Sequence, residues 1–182
     1  MKITRMMLRR WGACYSDQRI ASLVPESGLT PIEIAELAIP PEDRMWVLLR
    51  EEIIPARDLR LLACGWAEES CRMAGWNDAR SLAAIAVARR FAVGEATEDE
   101  RAATWSAAAE AEAYAHLRRE AKAWSARAAM WSVAAEAEAW LAARASARAA
   151  SGLAEAEARS SVEAWSSARA AQFSDVLRVL NG

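Results

Sequence analysis

Tryptophan and arginine recur along the second half of this chain at spacings that place them on shared helix faces. Arg127 lies three residues after Trp124 and four before Trp131, while Arg144 and Arg169 follow Trp140 and Trp165 by four. Residues three and four apart are neighbours on an α-helix, so a guanidinium can lie over an indole. Two indoles flanking an arginine would also hold a flat anionic ligand, with the rings stacked on a base and the guanidinium meeting a phosphate. The plainer reading, tryptophan anchoring helix contacts with arginine running along its edge, is the favoured one. Trp124, Arg127, Trp131, Trp140, Arg144, Trp165 and Arg169 are the candidate ligand- or partner-binding residues.

Other groups with chemical potential are poorly placed for it. His116 is the single histidine, with Glu112 and Glu120 one turn to either side. A metal needs ligands converging from a second element, so charge pairing on a solvated helix is favoured and no metal is expected. Cys64 and Cys71 are two turns apart on one face without a further cysteine or histidine cluster, which reads as buried, unreactive thiols. Glu110 with Glu112, and Glu136 with Glu138, point about 200° apart on a helix and cannot act jointly as acid and base. There is no glycine-rich phosphate loop, serine elbow or zinc-ligand motif. No catalytic residue and no cofactor is assigned, and an enzyme is not expected.

The elements that must position these residues read as helices throughout. In residues 96–171 alanine recurs nearly every second position and only Gly152 interrupts; alanine is the best helix former because it loses no side-chain entropy. Thr97 and Glu100 have capping-box spacing, and neither Gly nor Pro follows until Gly152. One helix of about 54 residues, roughly 80 Å long, is therefore permitted, with a turn near residues 151–153 and a return helix over about residues 153–180. Ser-Ala-Arg repeats at Ser125, Ser146 and Ser167, an interval of three heptads that hints at coiled-coil packing. Leu117, Trp124 and Trp131 share one side, whereas Val133, Trp140, Val162 and Trp165 fall nearly opposite. Such a helix outruns the cover of its own return segment, so self-association is expected, with Trp140 and Trp165 as buried anchors.

Ahead of it the punctuation marks shorter helices. Thr30, Pro31 and Glu33 supply a cap, a first-position proline and a third-position carboxylate for a helix ending before Pro40. A second follows Pro41 and ends near Pro55, a third covers residues 56–74 before Gly75, and a fourth covers residues 81–93 before Gly94. Residues 3–13 and 17–24 are plausible short helices. No segment shows sustained period-two alternation, so the chain is read as all-α: an N-terminal bundle of short helices over residues 1–94, then a long-helix region over residues 95–182.

Composition narrows the function. A net charge of -2 over 182 residues argues against a duplex nucleic-acid binder. Charges punctuate every apolar stretch, so no membrane span is expected. The opening MKITRMMLRRW lacks the apolar core of a secretory signal, and three cysteines without scaffold spacing fit reduced thiols. A cytoplasmic protein is expected. The nine tryptophans carry much of the large apolar area, since alanine buries little per residue.

Residues 43–97, with Asp43-Arg44, Trp46-Val47-Leu48-Leu49-Arg50-Glu51, Leu61-Leu62-Ala63-Cys64, Ala84-Ile85-Ala86-Val87-Ala88-Arg89-Arg90-Phe91-Ala92 and Gly94-Glu95-Ala96-Thr97, resemble a group of alanine-rich helical proteins of bacteria and phages. The group has mostly unassigned function, and some of its members look like immunity proteins. The resemblance implies a non-catalytic binding protein of a phage or mobile element, an anti-defence or immunity factor capturing a protein partner. Two alternatives stand beside it: a sponge sequestering a small nucleotide signal between helices, and a structural assembly protein.

Overall fold

A computed structural model describes the backbone of residues 1–73, 75–117 and 162–182, and the side chains of these apart from residues 113–117 and 162–169. Among the described residues the chain forms eight α-helices, α1 (Arg5–Arg10), α2 (Asp17–Leu23), α3 (Pro31–Ala35), α4 (Pro41–Leu48), α5 (Ala56–Met73), α6 (Ala79–Ala92), α7 (Glu98–Leu117) and α8 (Val162–Asn181). The all-α reading holds. The expected turn at Gly152 and the course of the chain over residues 118–161 lie outside the described residues.

Local rules account for most helix starts. The Thr30 side chain accepts from the Glu33 N–H while the Glu33 carboxylate accepts from the Thr30 N–H, the reciprocal cap expected from the sequence. Thr97 and Glu100 repeat this at α7, at 2.8 Å and 3.2 Å. Helices α5 and α6 stop just ahead of Gly75 and Gly94, both at positive φ.

Three boundaries differ from the expectation for physical reasons. Residue 3 is not helical: Ile3 and Leu29 exchange N–H···O bonds of 2.6 Å and 3.0 Å in an isolated antiparallel bridge, and Thr4 caps a helix that starts at Arg5. Helix α3 ends at Ala35 instead of running to Pro40, its last carbonyl accepting from Arg44 Nη1 at 2.7 Å. Helix α4 ends at Leu48, well before Pro55, since a turn lets Leu48, Leu49 and Ile54 all enter the core.

Gly28 makes the bridge possible. It sits at φ +73°, and a methyl group there would lie 2.9 Å from the Ile3 carbonyl oxygen. Strained left-handed backbone and a backbone clash together should make Gly28→Ala about 1–2 kcal/mol less stable in urea denaturation. An unchanged midpoint would show that the bridge is dispensable.

Two cores share α5. Its Leu59, Leu62, Ala63 and Trp66 stripe joins Leu8, Ile20, Ile34, Leu48 and Val176 of α1–α4 and α8, with Ile3 of the bridge and Val24 just past α2. The adjacent stripe of Cys64, Ala67 and Cys71 meets Ala84, Ile85, Ala88 and Ala108 of α6 and α7, flanked by Trp76 and Trp105. Small side chains let these three helices approach closely, and the indoles fill the flanks. Helix α8 is tied down by polar contacts: Trp66 Nε1 donates to Asp175 Oδ2 at 3.1 Å, and the Arg44 guanidinium lies 4.5 Å over the Phe173 ring. No described helix is long and apolar enough to cross a membrane.

Candidate functional site

Where α1, α2, α3 and α4 converge beneath α8, the apolar interior stays open. A cavity of about 390 Å³ is walled by Leu8, Ile20, Val24, Ile34, Met45 and Leu49 among others, with Trp46 and Tyr15 as its aromatic surfaces. Helices this short leave gaps at their ends, because one or two turns present few side chains to fill the space between axes. The size falls within the roughly 300–1,000 Å³ typical of small-molecule sites.

The polar groups of the cavity come from three places. The loop between α1 and α2 supplies Cys14 and Tyr15, and the first turn of α4 supplies Glu42 and Asp43; α8 adds the buried amide of Gln172. The Tyr15 hydroxyl donates to Asp43 Oδ2 at 2.5 Å, joining residues 28 apart in sequence. This bond, with burial and the carboxylate's charge adding to it and Arg19 opposing, pushes the Tyr15 phenol above its ordinary range. Tyr15 therefore stays protonated at neutral pH, a hydrogen-bond donor and not a base.

Cys14 is exposed and lines this cavity, whereas Cys64 and Cys71 are buried. Burial raises both interior thiols to about 12, so they are not nucleophiles at neutral pH. The buried, unreactive character expected of Cys64 and Cys71 is what the structure shows.

No family model, curated protein or solved structure matches the chain.

The candidate residues from the sequence lie elsewhere. Trp124, Arg127, Trp131, Trp140 and Arg144 are outside the described residues, as is Glu120. Trp165 and Arg169 fall on the α8 backbone and His116 on that of α7, with side chains outside the description. Among the described residues no group of His, Cys, Asp and Glu is assembled to hold a metal.

A tryptophan–arginine–tryptophan stack does form, in another place. The Arg50 guanidinium lies 4.4 Å from the Trp46 ring and 5.2 Å from the Trp11 ring, while its Nε donates to the Trp46 carbonyl at 3.3 Å. Trp11 Nε1 in turn donates to Glu52 at 3.0 Å. Arg50 is 6% exposed, so this stack is sealed and structural, and it fixes Trp46 as the cavity wall. The interval of four between Trp46 and Arg50 matches that of Trp140 and Arg144, so the signal was present in the sequence. Tyr15 with Asp43 carried no comparable local signal.

Proposed function

We propose that the chain is a non-catalytic binding protein that sequesters a small, largely apolar ligand in the cavity between α1 and α4. The observation that carries this reading is an open, aromatic-walled cavity with a few convergent polar groups at one end, in a fold otherwise closed on two cores. A tyrosine held protonated and interior thiols held neutral favour holding over chemistry. Sequestration of a signal or inhibitor is also what an anti-defence or immunity factor does, so the resemblance to alanine-rich bacterial and phage proteins adds a setting in a mobile element. Self-association through Trp140 and Trp165 belongs to the same proposal, supported by the two opposed tryptophan faces of the sequence.

N-phenyl-1-naphthylamine, an uncharged apolar fluorophore, tests the reading. Its emission should rise on adding the protein and saturate at one dye per chain. Ala13 lines the cavity, so Ala13→Phe should remove the rise by filling the space while the protein still unfolds cooperatively. No dye binding by the native chain, or equal binding by the filled variant, would overturn the proposal.

A further inference from the structure

Among the described residues lining the cavity the only charges are Glu42 and Asp43, and both are carboxylates. We propose that the cavity selects a small organic cation, a compact apolar body carrying an ammonium group that pairs with Asp43. The inference rests on the binding reading above and adds the sign of the ligand's charge. Asp43 uses Oδ2 to accept from Tyr15, and among the described residues no donor meets its Oδ1. Asp43 lines the cavity together with Trp46, Met45 and Leu49. An ammonium there makes a charge-assisted hydrogen bond, roughly twice as strong as a neutral one.

Three opposing charges are smaller. The first-turn dipole of α4 contributes about half a positive charge, less than the Asp43 carboxylate it sits beside. The Arg50 cation lies against Trp46 but is sealed between two indoles, and Arg19 is exposed and screened by solvent. An anionic nucleotide is disfavoured at this cavity on the same grounds, since its phosphates would meet Asp43 and no described lining residue is a cation.

Three ligands sharing one rigid apolar cage decide the matter by calorimetry on the full chain: 1-adamantylamine, 1-adamantanol and 1-adamantanecarboxylate. The expected order is amine, then alcohol, then carboxylate, with the amine about tenfold or more tighter than the carboxylate. Asp43→Asn should bring the amine to within about twofold of the alcohol, both measured on that variant. Glu42→Gln is the second variant should Asp43→Asn unfold, and it should narrow the same gap. Equal binding of all three ligands, or preference for the carboxylate, overturns the charge assignment and leaves the cavity reading standing. Binding of none overturns both.

Discussion

Replacing Trp66 with alanine is expected to remove about 4 kcal/mol of stability, the largest loss from any single side chain among the described residues. Trp66 is buried on the α5 stripe that joins the first core, so its removal leaves a large cavity among Leu62, Val176 and their neighbours. It also loses the indole N–H bond to Asp175, a contact spanning 109 positions of sequence. The two parts separate experimentally. Asp175→Ala removes the acceptor together with the exposed Arg178 ion pair at 3.0 Å, which contributes little, and should reduce stability by about 1–2 kcal/mol, the penalty of a buried donor left without a partner. A double-mutant cycle in urea should give a coupling of about 1 kcal/mol; additive losses would mean that α8 is not held through this bond.

Arg50→Ala is expected to follow at about 3 kcal/mol. A guanidinium between two rings and out of water gains up to about 2 kcal/mol from each contact, and the bond from Nε to the Trp46 carbonyl adds to it. Desolvating the charge offsets part of that gain, which is why the sum is not larger. Arg50→Lys should recover less than half, because an ammonium lacks the plane that stacks on both indoles. A loss under about 1 kcal/mol for the alanine variant would show that the tryptophans pack equally well without it. The two substitutions also differ in what they do to the cavity. Arg50→Ala frees Trp46, so it should weaken ligand binding, whereas Asp175 is not among the cavity's lining residues and Asp175→Ala should weaken it less.

What the sequence revealed of this fold was what short-range chemistry controls. The cap at Thr30 and Glu33, the cap at Thr97 and Glu100, and the stops before Gly75 and Gly94 each depend on residues within one turn. Boundaries failed where a distant group intervened. Arg44 reaches back to the Ala35 carbonyl and closes α3 early, and Arg50 folds between Trp11 and Trp46 just past the early end of α4. The candidate site was illegible for the same reason, since Tyr15, Asp43 and Gln172 meet only through the packing of the loop after α1, α4 and α8. Composition drew attention instead to the alanine-rich stretch, where tryptophan and arginine are dense but most of the named residues lie outside the described ones.

Alkylation of Cys14 tests the central claim, that this cavity holds a ligand, most directly. Of the three cysteines, Cys14 alone is exposed, and it lines the cavity, so iodoacetamide should label one thiol per native chain, identified by peptide mass. With N-phenyl-1-naphthylamine at about ten times its Kd, roughly one chain in eleven is free, and labelling should slow about tenfold. Cys14 labelling at an unchanged rate under saturating dye would contradict the claim.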